Sequence, residues 1–149
     1  FQTGLTTDEY VMRAYVQFTV DQPSGGSVGI DVYGDASGQA DSLNSIDFDL
    51  SWRPVTSQAV RWSPPNWTLT GDAGVDQQTA DLSPVLMEMM AVPGWSAQSS
   101  TVLMLSCEPG QAGIRVADSG GRGSTRPELV VTYLRLDTHA RHLGRLHSQ

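Results

Sequence analysis

The sequence predicts an all-β domain, two facing antiparallel sheets with one short helix at about residues 83–91 closing an end. Three observations predict it. Apolar and polar residues alternate in several short runs. Turns rich in Gly and Pro separate those runs. A single stretch, Ser83 to Met90, instead spaces its apolar residues as a helix does.

In "YVMRAYVQFTV", Ala14, Val16, Phe18 and Val20 fall on one face, and Tyr15, Gln17 and Thr19 on the other. "DQPSGG" turns the chain, and "SVGIDVYG" resumes the alternation through Val28, Ile30 and Val32. After the polar connection "DASGQADSLN", the stretch "SIDFDLSWR" alternates most cleanly. Ile46, Phe48, Leu50 and Trp52 are expected inward, with Asp47, Asp49 and Ser51 outward. "AVRW" is a short strand ending at Pro64 and Pro65, which lack N–H donors and must leave the sheet. "GDAGVDQQT" is loop. "TVLMLSC", "GIRVADS" and "ELVVTYLRL" supply three more strands. In the helix, Ser83 is the expected cap and Pro84 fits the first turn. Val85, Leu86, Met89 and Met90 form its apolar stripe, and Pro93 and Gly94 end it. Two turns are too few to stand alone, so the helix must lie against a sheet or plug the end of the sandwich.

A chain of 149 residues suits one domain with a sizeable core, here residues 1–136, followed by a basic, His-containing tail at 137–149. The opening "FQTGLTTDE" lacks a signal-peptide pattern and suits a domain cut from a longer chain. Only 17% of residues are charged, and Ser, Thr and Gly abound, which suits a secreted or surface-exposed sandwich. Nine Lys+Arg against sixteen Asp+Glu give a net charge of -7. With no basic stripe to displace counterions from phosphate, nucleic acid is not an expected partner. No apolar run is long enough to insert in a membrane. Cys107 is the only cysteine, so no internal disulfide forms, and it is expected as a small buried apolar residue.

Catalytic chemistry finds little support. Asp31, Asp47, Asp49, Asp72, Asp76, Glu88 and Glu108 are candidate carboxylates, but no pair is marked by burial that would raise a pKa. His139, His142 and His147 crowd into the tail without the carboxylates or thiols that complete a zinc site. No catalytic residue and no cofactor is therefore assigned. Asp31, Asp35, Asp72 and Asp76 lie on or near loops, but their spacing matches no calcium loop.

Binding is the stronger class. Glycan-recognising sandwiches set exposed aromatic rings beside polar side chains. Trp52 and Trp62 share the parity of core positions, and Trp95 is placed to anchor the helix end. Trp67, on the loop after Pro-Pro, is the open case: it could project as a ligand platform, with Arg61, Asp47 and Asp49 as the polar contacts, or join Trp62 in clamping the strand exit onto the sandwich. "NWT" is also an N-glycosylation sequon at Asn66, which would hold that loop at the surface.

From about residue 10 to 134 the order of features resembles a family of extracellular β-sandwich domains. They are related to surface-protein modules named for a DNRLRE motif and to allied carbohydrate-binding modules. The segments that carry the resemblance are "AYVQFTV", "AVRWSPPNW", "QTADLSPVLMEMMAVPGW", "IRVADS" and "RPELVVTY". The DNRLRE motif itself is not present, and "WSAQSS" after Trp95 departs from the usual Gly and Asn. The resemblance implies a jelly-roll-like sandwich in a secreted or cell-surface protein, and it implies no enzyme. It makes Thr79 and Asp81 acceptors for loop and helix N–H groups, and Arg115 a partner of Glu88 or Asp118. The resulting expectation is a structural or adhesion unit that docks on neighbouring domains or subunits by its edge strands or its tail. The alternative is a polysaccharide-binding module. A catalytic domain acting on glycans ranks below both.

Overall fold

The computed structural model describes residues 1–43, 49–120 and 125–135. The tail 137–149, with its three histidines, lies outside them, as do Ile46, Asp47 and Phe48.

Among the described residues, seven strands and one α-helix follow in chain order. They are β1 (Glu9–Gln17), β2 (Val20–Gln22), β3 (Ile30–Gly34), β4 (Val60–Trp62), α1 (Ser83–Ala91), β5 (Leu103–Cys107), β6 (Val116–Ala117) and β7 (Glu128–Arg135). All pairing is antiparallel, in three separate sheets ordered β1–β7, β2–β6 and β4–β3–β5. The chain is thus β-rich with one short helix.

The alternation read in β1 survives with one adjustment. A bulge between Val11 and Arg13 shifts the register, so Met12 and Arg13 both face out while Val11, Ala14 and Val16 are buried. Val20, Val28, Ile30, Val32 and Trp62 are buried as their parity requires. Leu82, Val85, Leu86, Met89 and Met90 complete one apolar cluster with them. Gly34 belongs to this packing: a Cβ there would collide with Met89 Sδ.

The far edge of β1 is closed by side chains that substitute for main-chain acceptors. Residues 77–82 run antiparallel beside it, bridged at Gln17 and Gln78. Thr79 N–H donates to Val16 O (3.1 Å), and Leu82 N–H to Ala14 O (2.7 Å). In return Val16 N–H donates to Thr79 Oγ1 (3.0 Å) and Ala14 N–H to Asp81 Oδ1 (3.0 Å). Phe18 N–H finds Gln77 O (3.0 Å). Thr79 and Asp81 therefore accept N–H groups of strand β1, where the family resemblance implied loop and helix N–H groups. β2 is flanked in the same way, with Val20 N–H on Asp72 O (2.9 Å) and Gly71 N–H on Val20 O (2.8 Å).

Three expectations change. The stretch "SIDFDLSWR" was the clearest strand in the sequence, yet its described part, from Asp49 to Arg53, is a turn. Leu50 and Trp52 face solvent, and Trp52 is 76% exposed. Arg53 is the reason. Its Nη2 lies 3.3 Å from Asp49 Oδ2 and its Nη1 2.9 Å from Asp35 Oδ2, with Arg53 and Asp35 both buried. Residues four apart on a strand are about 13 Å apart, so the Asp49–Arg53 pair demands a turn. Ser83 is also not the helix cap. The helix starts at Ser83, and Asp81 accepts from Ser83 N–H and Ser83 Oγ (both 3.0 Å). Cys107 is exposed rather than buried, because the second half of β5 runs past the core.

Candidate functional site

The double proline is explained by the residues around it. Trp62 and Trp67 turn inward on either side, where Trp62 stacks on Phe18 with ring centroids 5.5 Å apart. Trp67 lies 6.4 Å from Trp62 and is only 2% exposed. Its N–H and C=O exchange bonds with Ser24 (2.8 Å each), and its Nε1 donates to Asp76 O (3.1 Å). This corrects the reading of Trp67 as a projecting ligand platform. The loop leaves the sheet, but strand-like pairing with Ser24 returns the indole to the core.

Arg115 fastens the same loop from outside. Its guanidinium donates to the carbonyls of Pro64 (2.6 Å), Pro65 (2.7 Å), Gly26 (3.0 Å) and Ile114 (2.6 Å). Neither Glu88 nor Asp118 is the expected partner. Asp118 receives Gly120 N–H and Thr125 Oγ1, while Glu88 receives Ser57 N–H (2.6 Å) and Gln58 N–H (2.8 Å). Those main-chain bonds hold the Glu88 carboxyl below its usual pKa. Burial beside neutral carbonyls pushes the Arg115 pKa down. Trp95 is half-buried just past the helix end, and its Nε1 donates to Leu5 O (2.9 Å). Asn66 is exposed, and its Oδ1 accepts Gly26 N–H (3.1 Å).

Of the residues assigned to ligand contact, Arg61 lines a cavity. A polar cleft of about 460 Å³ opens between Arg61, Ser63, Glu108, Gln111 and the 27–29 backbone. Arg61 Nη1 sits 2.8 Å from Asp31 Oδ2 and Nη2 3.4 Å from Glu108 Oε2. Desolvation works against its charge, but Asp31 and Glu108 outweigh that and raise its pKa. The guanidinium lies over Gly29, where any Cβ would strike it, and Gln111 bonds both the N–H and the C=O of Gly29. Asp49 is instead spent on Arg53, and Asp47 lies outside the described residues. Sequence reasoning missed Asp31, Glu108 and Gln111 as a group. Asp31 stands opposite Arg61 in the β3–β4 register, but no sequence spacing marks that pairing.

Among the described residues no three His, Cys, Asp or Glu side chains converge as a metal site, and no helix is long and apolar enough to cross a membrane. Asp31 and Asp35, two of the loop carboxylates weighed for calcium, face arginines.

A second surface lies at β7, which among the described residues has a ladder on its β1 side only. Leu129, Val131 and Tyr133 pair with Val16, Ala14 and Val11 and share their inward face. Val11 is 2% exposed, whereas Tyr133 is 47% exposed. A groove of about 270 Å³ runs along this row, with Phe1, Gln2, Thr3 and Leu5 on its other side. The inward row of the last strand is therefore only half covered. No family model, curated protein or solved structure matches this chain.

Proposed function

We propose that this chain is a non-catalytic module that works by contact, a structural or adhesion unit of a secreted or cell-surface assembly related to the DNRLRE-type sandwich modules. In this reading the three sheets act as two jelly-roll-like layers. β1 and β2 follow one another in the chain and share a layer with β7 and β6, joined by the Asp118 N–H to Thr19 O bond (2.9 Å). β4–β3–β5 is the opposing layer, and α1 closes the end between them.

The observation that carries the proposal is β7. Eight residues long, it has, among the described residues, an unladdered edge and a half-covered apolar row. Edges are normally blunted by charge, proline or a bulge within the strand. Between Leu129 and Leu134 there is none of these, since the bulge of this pair lies on β1. The test is adhesion of beads coated with the chain, either to one another or to surfaces carrying adjoining segments of its parent protein. Retention that is lost on Val131→Lys supports the reading. Wild-type beads that stay dispersed on all of these surfaces refute it.

A second reading, polysaccharide binding, is favoured by the Arg61 cleft and by the exposed Trp52 ring. Arg61, Glu108 and Gln111 offer planar donors and acceptors of the kind that hold sugar hydroxyls, and an indole face can stack on a sugar ring. A glycan array with Arg61→Ala and Trp52→Ala variants tests it. Binding that drops with either substitution while the fold persists supports this reading, and an array with no signal removes it.

A further inference from the structure

The open edge of β7 has a pattern that fits itself. Val16, Ala14 and Phe18 direct their N–H groups away from β7, toward residues 77–81. Alternation then sends the N–H groups of Tyr15 and Gln17 to their partners Val130 and Glu128. The main-chain groups of Leu129, Val131 and Tyr133 therefore point outward, along the open edge. These are the same residues whose side chains form the half-covered inward row.

We infer that β7 pairs antiparallel with β7 of a second copy of this chain about a twofold axis at Val131. The inference rests on the contact reading above and names its partner. A twofold between antiparallel strands keeps inner faces together, so partners must have the same parity. Centring on Val131 sets Val131 against Val131, Leu129 against Tyr133 and Tyr133 against Leu129, all as hydrogen-bonded pairs. The inward row then continues unbroken from one copy to the other, and Tyr133 gains an apolar neighbour. On the outer face Val130 meets Thr132, and Glu128 meets Leu134. Charge agrees with this register. The row Leu129–Leu134 is uncharged in a chain of net charge -7, so the two acidic copies approach where repulsion is least. Tyr10 and Met12, on β1, remain exposed on the outer face, clear of the pairing edge.

Sedimentation velocity of the full chain, from micromolar to about 1 mM, is the first measurement, because small interfaces associate in about that range. A concentration-dependent dimer is expected, and Val131→Lys should raise its dissociation constant about tenfold or more by placing like charges face to face. Near-UV circular dichroism checks that this variant keeps its fold. Cross-linking tests the register without depending on it. In a Cys107→Ser background, Val131→Cys should form a disulfide dimer, because a hydrogen-bonded antiparallel pair spans about 5.5 Å between Cα atoms, within disulfide reach. Leu129→Cys should not self-link, yet should link to Tyr133→Cys in a mixture. A monomer at every concentration overturns the inference, as does a dimer that links through Leu129→Cys alone. In either case, beads that still adhere to adjoining segments leave the contact reading standing.

Discussion

Thr79→Val tests the claim that side chains complete the β1 edge. The substitution keeps shape and volume but replaces the hydroxyl that accepts Val16 N–H at 3.0 Å. Both residues are buried, so water cannot take over the bond. Leaving a buried donor unpaired costs about 1–3 kcal/mol, and the gain from a second methyl offsets less than 1 kcal/mol of that. The expected loss is about 2 kcal/mol, or about 4–8 °C in Tm for a domain of this size. Thr79→Ser keeps the acceptor and loses one methyl, so it should cost about 1 kcal/mol. Urea unfolding at constant m-value reads both. If the Val variant matches wild type, or proves more stable than the Ser variant, Thr79 is acting by packing and the acceptor argument fails.

Three other perturbations probe separate parts of the molecule. Glu9 is held at a pKa of about 2, against 4.5, by the Thr6 hydroxyl and N–H and by Arg135. A lowered folded-state pKa stabilises fully above the unfolded value and is lost as pH falls from 4.5 toward 2. With Arg135 exposed and screened, the loss should be on the order of 1–2 kcal/mol, seen as a urea midpoint that drops below pH 4.5 in wild type but less in Glu9→Gln. Arg115→Lys should cost about 1–3 kcal/mol in thermal unfolding, since an ammonium cannot span the carbonyls of Pro64, Pro65 and Gly26. A lysine variant as stable as wild type would remove the clamp. Gly34→Ala should cost about 1–3 kcal/mol by overpacking against Met89 and Val85. Adding Met89→Ala should then cost less than the two single changes predict together, which a double-mutant cycle measures.

Local pattern made several elements legible. Period-two alternation located β1, β3, β4 and β7, and helical spacing located α1 with its buried face of Val85, Leu86, Met89 and Met90. The bulge at Met12 was not legible, because extra residues in a strand leave no periodic mark. Trp52 and Trp67 show where parity misleads. Trp52 alternates with apolar neighbours, yet the Asp35–Arg53–Asp49 contacts bend its segment into a turn and leave Trp52 largely exposed. Trp67 sits in a proline-rich loop, yet pairing with Ser24 buries it.

By itself the sequence determined the strand and helix periods, the low charge and the acidic balance, because each depends on residues close in the chain. Only the tertiary structure decided which N–H each acceptor meets, that Arg61 joins Asp31 and Glu108 over Gly29, and that among the described residues β7 has a ladder on one edge alone. Those outcomes turn on contacts between residues tens of positions apart. An arginine spends its charge on whichever carboxylate or carbonyl the fold brings within about 3 Å, and no periodicity along the chain encodes that distance.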